Sequence, residues 1–440
     1  MTSAFKKFDK LLLIGVLFLL LIGVWMMSWV SVFNSNEKEH YSAARSYCVS
    51  QIPNYANVTK ETQKKKMLAC IKTSDAQEAS EFFCSINNCN DRYFNLHMRN
   101  IAIGLFGMFI AFLIPIVIWR KTALLIFVVG FILLIVVLVI PAQGGFTAKS
   151  WLPIPILGLF QPSEAMKLGL AFYAALWISK KQSTISTFKG GFLPYLILVS
   201  LAVGPVMSQP DYGSSIILMA IASSMFFIGG ASILHMGISL GLALGMGIMA
   251  YYSFDYIKSR FDTFFNPESV DTDASYQIDQ AHISLGNGGL TGSLNTTESF
   301  GFLPEIQGDM IFAATGEYWG FLGMIILIGI YIFITIRGIN IARNAKNQFS
   351  KLLASGIISW FASQTVINMM VVTGLFPLTG ITLPLLSYGG TSMLITLIAI
   401  GILLRISASV HENENEAIVN RRRKRRTFVP TSYAGTRSLR

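Results

Sequence analysis

The chain has 440 residues, of which 53% are hydrophobic and only 13% are charged, about half the charged fraction of a soluble domain. This composition excludes a soluble enzyme, a disordered chain and a fibrous repeat, and it favours a protein that lies mostly within a membrane. The 34 Lys and Arg residues outweigh the 23 Asp and Glu residues, which gives a formal charge of +11 at pH 7. In a membrane protein such an excess indicates orientation, so no nucleic-acid partner is expected.

Apolar stretches of about 20 residues, the length that crosses a bilayer, predict the transmembrane helices. Ten such spans lie near residues 11–33, 100–119, 122–141, 163–179, 191–207, 213–229, 233–252, 310–336, 352–374 and 390–409. The first follows three lysines and lacks a small-x-small cleavage site, so we expect an anchor that stays and not a removed signal peptide. The predicted fold is an all-α polytopic integral membrane protein with about ten transmembrane helices and two large outer loops.

Basic residues predict the orientation of these spans, because cytoplasmic connections are enriched in Lys and Arg. With the N-terminus inside, the short inner connections carry Arg120, Lys121, Lys180, Lys181, Lys189, Arg337, Arg343, Lys346 and Lys351, and the tail adds the basic run 421–426. Both termini are therefore predicted to be cytoplasmic.

The predicted divisions are a cytoplasmic N-terminus (1–10), a first transmembrane helix (11–33), an extracytoplasmic insert (34–99), helices two to seven (100–252), a large extracytoplasmic loop (253–309), helices eight to ten (310–409) and a basic cytoplasmic tail (410–440).

The first outer segment, 34–99, contains all four cysteines of the chain. They are Cys48, Cys70, Cys84 and Cys89. An even number of cysteines facing an oxidising compartment favours two disulfides, with one of three connectivities. A zinc site and free thiols are the alternatives, although the spacing of Cys84 and Cys89 is not that of a zinc knuckle. Amphipathic stretches in this insert indicate a small helical cap for docking or stability.

The second outer segment, 253–309, is rich in acidic residues and also holds Arg260. Its glycine-rich stretch 285–292 allows either a backbone cradle for a ligand or a flexible loop, and it matches no nucleotide-binding motif. Pro304 predicts the first turn of a helix, so Glu305 and Asp309, four residues apart, would share one face. Two interpretations are open: the carboxylates favour the helix dipole, or one of them is a general base.

Ionisable residues within or beside the spans are further candidates, because a charge in the bilayer is costly. Glu164 and Lys167 lie three apart on one helix and form either a structural ion pair or part of a site. Asp211 lies in a tight connection, 209–213, where an Asx-type turn is the alternative to a functional role. Glu317 must face protein or water and not lipid.

The order of these motifs resembles the SEDS family of cell-wall proteins, the FtsW and RodA type. The similarity covers residues 100–409 and the first span. The motifs are residues 161–168, 209–213, 260 with 264–267, 276–277, the glycine stretch, 303–305 with 309, 316–317 and 380–392. Where the family usually has Arg before Trp, this chain has Lys149 two residues before Trp151, so the cation is displaced by one position.

The resemblance implies a peptidoglycan glycosyltransferase that polymerises lipid II at the outer face of the bacterial cytoplasmic (inner) membrane and releases undecaprenyl pyrophosphate. We assign Asp309 as the base that deprotonates the acceptor 4-hydroxyl. The pyrophosphate requires stabilisation by cations of the protein or by a bound divalent metal, Mg²⁺ or Mn²⁺. The candidate substrate-binding residues are Arg260, Lys167, Glu305, Glu164, Lys149 and Asp211.

The same resemblance implies the partners. They are lipid II, undecaprenyl-pyrophosphate-linked glycan, a class B penicillin-binding transpeptidase and other division or elongation proteins. Residues 380–384 and 398–404 favour the division type, FtsW, over the elongation type. The alternatives are a lipid II flippase and a non-catalytic division scaffold. A flippase would need an ionisable path through the midplane, whereas the predicted charges gather at the outer face.

Overall fold

A computed structural model describes residues 8–51, 92–139, 150–154, 158–266, 273–293 and 303–427. In these ranges the chain forms twelve α-helices and one short β-hairpin. The helices are α1 (Lys10–Gln51), α2 (Arg92–Leu113), α3 (Ile116–Val139), α4 (Pro162–Lys180), α5 (Leu193–Met207), α6 (Tyr212–Ile228), α7 (Ile233–Ser253), α8 (Asp255–Phe265), α9 (Asp273–Asn287), α10 (Ile311–Asn344), α11 (Gln348–Val372) and α12 (Gly390–Thr427). A π-helical turn, Phe188–Phe192, leads into α5. The hairpin pairs β1 (Leu152–Ile154) antiparallel with β2 (Gly158–Phe160).

The helices confirm an all-α, multi-pass membrane protein. Within the described ranges, eight helices are long and apolar enough to cross a membrane, namely those of α1, α2, α3, α5 with its π-helical turn, α7, α10, α11 and α12. Two further helices lie at predicted spans: α6 is apolar but shorter, and α4 carries the buried charges Glu164 and Lys167. Each of the ten predicted spans therefore corresponds to one helix.

Several helix ends differ from the predicted boundaries. The second span, predicted at 100–119, is α2, which ends at Leu113, and the third, predicted at 122–141, begins at Ile116. Pro115 separates them because it has no N–H to donate and its ring cannot continue α2. Arg120 and Lys121 consequently lie inside α3 and not in a connection. Helix α1 continues to Gln51 and α12 to Thr427, so both extend beyond the predicted ends at 33 and 409.

The centre of the bundle is formed by α4, α6, α11 and α12, whose facing side chains are mostly buried. Helix α2 packs along α12, and α3 packs along α4. The α2–α12 contact is close because Gly401 has no side chain: a Cβ atom there would collide with the Met108 carbonyl oxygen. Helix α7, in contrast, leaves most of its apolar side chains exposed, as a lipid-facing helix does.

Within the glycine-rich stretch 285–292, Gly289 and Leu290 pair through their backbone with α10 at a kink of that helix. The kink is at Gly320, whose φ of 66° and ψ of −170° interrupt the helix. The freed N–H of Phe321 donates to Gly289 O at 2.9 Å, and that of Leu322 donates to Leu290 O at 3.1 Å. This backbone pairing fixes the turn that follows α9 against the third turn of α10.

Candidate active site

Four segments meet around Asp309 at one end of the bundle, which we call the site end. They are the turn segment 303–310, helix α8, helix α9 and the connection 373–389 between α11 and α12. Asp309 itself is buried, with 8% of its surface exposed. Gln277 of α9 donates from Nε2 to Asp309 Oδ1 at 3.4 Å, and Asn368 of α11 donates from Nδ2 to the Asp309 backbone oxygen at 2.8 Å.

The surroundings of Asp309 raise the pKa of its carboxyl group to about 7. Burial is the largest cause, because it penalises the charged form, and the nearby Glu305 charge acts in the same direction. The positive charge of Arg260 and the hydrogen bond from Gln277 partly oppose this rise. A carboxylate with a near-neutral pKa is a suitable general base at neutral pH, since it can both take up and release a proton.

Arg260 is held by its neighbours in a fixed orientation. Its Nη1 donates to the Leu378 carbonyl oxygen at 2.7 Å. The guanidinium carbon lies 4.3 Å from the centre of the Tyr256 ring and 5.9 Å from that of the Tyr212 ring. The side chain is partly exposed, so its remaining N–H groups are available to an anion.

Gly380 lies between the base and the cation. A Cβ atom built on Gly380 would be 3.8 Å from Arg260 Nη1 and 3.9 Å from Asp309 Oδ2. Its φ of 70° is in the left-handed region that favours glycine. Asp309 and Arg260 therefore border the same small space, which the absence of a side chain at Gly380 leaves open.

Glu305 is close to Asp309 for a different reason than the sequence suggested. Residues 304–310 form turns and not a first helical turn, and Glu305 has a φ of 51°. The predicted shared helix face is therefore wrong. The two carboxylates approach each other because the chain turns back: Gly308 N donates to Glu305 O at 2.8 Å. The Glu305 side chain is exposed at the mouth of the site.

Lys167 and Glu164 form a buried ion pair. Lys167 is fully buried, and its Nζ donates to Glu164 Oε1 at 2.7 Å and to Gln364 Oε1 at 2.9 Å. The ammonium group also lies 5.5 Å from the centre of the Trp360 ring. This placement favours the structural alternative over a contact with substrate.

Asp211 is the N-cap residue of α6. Its Oδ1 accepts a hydrogen bond from Ser214 N at 3.0 Å. Its Oδ2 accepts from Gln161 Nε2 at 3.1 Å and from Ser163 Oγ at 3.2 Å, both at the start of α4. Asp211 thus ties two helix N-termini together, which is a structural use of the carboxylate.

Lys149, Cys70, Cys84 and Cys89 lie outside the described residues, and Cys48 lies in a part of α1 whose side chains are not described. The disulfide prediction and the substrate role of Lys149 therefore stay predictions.

Three residues of the site were not assigned from the sequence. Gln277 belongs to the motif 276–277, but the sequence assigned it no role. Tyr256 gave no distinctive signal. Asn368 did give a signal in the sequence, because it is an amide inside an otherwise apolar span, one turn from Gln364. Such an amide is costly unless it is paired, and this signal was not used.

The divalent cation expected from the sequence would need carboxylate or imidazole ligands at the site. In the part of the chain that the structure describes, no three His, Cys, Asp or Glu residues are grouped so that they could hold a metal. Glu305 is an exposed carboxylate at the mouth of the site, and one or two carboxylates together with substrate phosphates commonly bind Mg²⁺. The Glu305 carboxylate therefore fits a cation that would be shared with a phosphorylated substrate.

The fold and this site define a polytopic membrane protein with a buried carboxylate and a guanidinium side by side where its helices end. The chain belongs to the FtsW, RodA and SpoVE family of cell cycle proteins, whose family model matches residues 79–412. This confirms the resemblance seen in the motifs.

Individual relatives agree with this membership. The chain is 38% identical over 312 residues to the probable peptidoglycan glycosyltransferase FtsW of Trichlorobacter lovleyi, which covers 70% of this chain and 81% of that protein. It is 38% identical over 313 residues to the stage V sporulation protein E of Bacillus subtilis, with 70% and 84% covered.

Two solved structures share the fold. The crystal structure of the rod shape determining protein RodA of Thermus thermophilus is 20% identical, with a TM-score of 0.58, over 91% of this chain and 96% of that chain. A chain from a peptidoglycan synthase complex, studied for the coordination of polymerisation and crosslinking, is 23% identical, with a TM-score of 0.59, over 71% and 89% of the two chains.

Proposed function

We propose that this protein is a peptidoglycan glycosyltransferase that polymerises lipid II into glycan strands, during cell division. The observation that supports this most is the buried Asp309 with its near-neutral pKa beside Arg260, in a chain 38% identical to a probable peptidoglycan glycosyltransferase FtsW. A carboxylate base and a cation for a leaving phosphate are the two groups that this transfer needs.

The reaction forms a β-1,4 bond between two lipid-linked sugars. The ionised Asp309 carboxylate accepts the proton of the acceptor 4-hydroxyl as its oxygen attacks the anomeric carbon of the donor. The bond from that carbon to the pyrophosphate oxygen breaks, and undecaprenyl pyrophosphate leaves. Arg260 binds the departing pyrophosphate, whose negative charge increases as the bond breaks. The proton then passes from Asp309 to water, which restores the base.

A divalent cation, Mg²⁺ or Mn²⁺, is part of the proposal as a companion of the pyrophosphate. When bound it supplies positive charge to the leaving group. Glu305 would hold it, because this carboxylate is exposed at the mouth of the site, where it also accepts a hydrogen bond from Gln307 Nε2.

We assign the site end to the extracytoplasmic face and both termini to the cytoplasm. The basic residues 421–426 at the opposite end of α12 support this orientation. Because the site lies where α10 begins and α11 ends, a polyprenyl tail can remain in the bilayer while the sugars reach Asp309.

The proposed partners are lipid II, the growing undecaprenyl-pyrophosphate-linked glycan and a class B penicillin-binding transpeptidase. The fold shared with a chain of a synthase complex that couples polymerisation to crosslinking supports the last of these. The relatives named FtsW favour a division role over an elongation role.

Polymerisation of purified lipid II in detergent, with and without a class B transpeptidase, tests the proposal. Wild type should extend labelled lipid II into glycan strands, and Asp309→Asn should not. Asp279→Asn is a matched control, since Asp279 is an exposed carboxylate on α9. Absence of strands from folded wild-type protein under both conditions would contradict the proposal, and transfer of intact lipid II across vesicles would support a flippase instead.

A further inference from the structure

We propose that Asn368 is a positioning residue, whose side-chain amide fixes the distance between Asp309 and the 378–382 segment that holds Arg260. This inference rests on the proposed function, since it concerns the base of that reaction.

The two amide hydrogens of Asn368 are used by two different segments. Nδ2 donates to the backbone oxygen of Asp309 at 2.8 Å and to that of Ile381 at 2.8 Å. A primary amide has two N–H donors, so this is its full donor capacity. The opposite amide orientation would set Oδ1 against two carbonyl oxygens, which is unfavourable. Asn368 Oδ1 itself accepts no hydrogen bond from the described residues.

Asn368 is buried, with 1% of its surface exposed, so no solvent competes for these bonds. Without its two N–H groups, both carbonyl oxygens would lose a partner inside the protein. An unpaired buried carbonyl is costly, and the backbone would shift to find another partner. Movement of the turn segment 303–310 or of the 378–382 segment would follow.

The turn segment carries Asp309, and the 378–382 segment holds Arg260, which is on α8. The second one supplies the Leu378 oxygen that binds Arg260, and it includes Gly380, next to which both Asp309 Oδ2 and Arg260 Nη1 lie. Asn368 bonds to Ile381, one residue further along. One amide on the rigid helix α11 thus determines how far the base is from the cation.

Gln364, one turn earlier on the same face of α11, holds the next residue of that segment. Its Nε2 donates to Thr382 O at 2.9 Å, and its Oε1 accepts from Lys167 and from Trp360 Nε1. The 378–382 segment is therefore anchored to α11 at two successive residues. Only the Asn368 anchor also reaches the turn segment that carries Asp309.

The test replaces the donors while keeping the size of the side chain. Asn368→Leu and Asn368→Asp remove both amide hydrogens. We expect kcat for lipid II polymerisation to fall roughly 10- to 100-fold, because a misplacement of about 1 Å costs on that order. The change in KM should be much smaller, since the lost bonds do not involve the side chain of Arg260.

A second readout distinguishes positioning from a general loss of structure. Burial is the main reason for the raised pKa of Asp309, so release of its segment admits water and moves that pKa towards its ordinary value. The acid limb of the pH–rate profile should therefore move to lower pH in Asn368→Leu, whereas in Asn368→Asp the added negative charge opposes this shift. A purely structural loss would lower the amount of active protein and leave the limb where it is.

Thr365→Val is the matched control. Thr365 is buried on the same helix, and its hydroxyl bonds to Phe361 O within α11 at 2.8 Å. It should lose some stability while keeping the wild-type pH profile. If Asn368→Leu does not fold, Asn368→Ser, whose hydroxyl retains one donor, gives a milder form of the same test.

An infrared titration makes the inference independent of activity. The carboxylic-acid band of Asp309 is identified by its absence in Asp309→Asn, and its midpoint is compared between wild type and Asn368→Leu. If wild type fails to polymerise lipid II, the proposed function fails and the titration still decides the role of Asn368. An unshifted midpoint in folded Asn368→Leu would overturn the inference.

Discussion

The buried pair of Lys167 and Glu164 allows a quantitative test of which predicted role Lys167 has. The side chains are 0% and 6% exposed, so solvent screens their interaction very little. Replacing Lys167 with Gln removes the positive charge and leaves the Glu164 carboxylate buried without a counter-charge. Breaking a buried pair in this way costs about 3 to 5 kcal/mol. We expect about 3 kcal/mol, because the Gln amide can still donate one hydrogen bond.

Two companion variants define the cause of that loss. Glu164→Gln plus Lys167→Gln removes both charges, so its free energy of unfolding should return to within about 1 kcal/mol of wild type. Glu164→Gln alone should cost less than Lys167→Gln. The ammonium group would keep its hydrogen bond to Gln364 at 2.9 Å and its position near the Trp360 ring.

The assay is thermal melting of the four proteins in one detergent, followed by lipid II polymerisation with the same samples. The order of stability should be wild type, double variant, Glu164→Gln and then Lys167→Gln, with activity following stability. A double variant as unstable as Lys167→Gln would refute the reasoning from a stranded carboxylate. A Lys167→Gln protein that melts like wild type but makes no glycan would instead support the substrate role predicted from the sequence.

Three further predictions concern the base, the cation and the insert. Because Asp309 is active when ionised and its pKa is raised to about 7, kcat/KM should fall as the pH drops through about 7 in a pH–rate profile. Asp309→Asn should lower the rate by roughly 100-fold or more, while its melting curve shows no loss of folding. Arg260→Gln should raise KM for lipid II and slow the reaction while melting near the wild-type temperature, and a normal rate would argue against its contact with pyrophosphate. Protein prepared under oxidising conditions should show no alkylatable thiol until a reductant is added, and four thiols modified without reductant would exclude disulfides between Cys48, Cys70, Cys84 and Cys89.

Hydropathy predicted the number and order of the spans because a run of apolar residues has few other uses in a chain of this composition. It placed the ends of α2 and α3 less well. The apolar sequence continues across Pro115 without a change in hydropathy. An average of hydropathy along the chain therefore gives no boundary at the residue where the backbone helix is interrupted. Basic residues were also poor markers there, since Arg120 and Lys121 lie inside a helix.

The motifs identified Asp309 and Arg260, but local spacing did not explain how they meet. The helical spacing of Glu305 and Asp309 was a plausible argument, yet the left-handed φ of Glu305 is set by contacts from other segments, such as the hydrogen bond from Tyr388 N to Gln307 O at 2.7 Å. Likewise, Gly380 is 71 residues from Asp309 in sequence, and only the packing of α11 and α12 brings it beside the base. Such long-range pairings leave no local pattern to read.

The position of the base follows from a requirement that applies to any protein inside a membrane. Non-helical backbone is tolerated near the bilayer only where other protein groups pair its N–H and carbonyl groups. The turn segment 303–310 meets this requirement through Asn368, which pairs the Asp309 carbonyl, and through Tyr388, which pairs that of Gln307. The same bonds that make the turn possible hold the Asp309 carboxyl group in a dry position, where burial raises its pKa. Backbone pairing and the basicity of the site are therefore consequences of one arrangement, and a residue that supplies a backbone partner here also adjusts the chemistry.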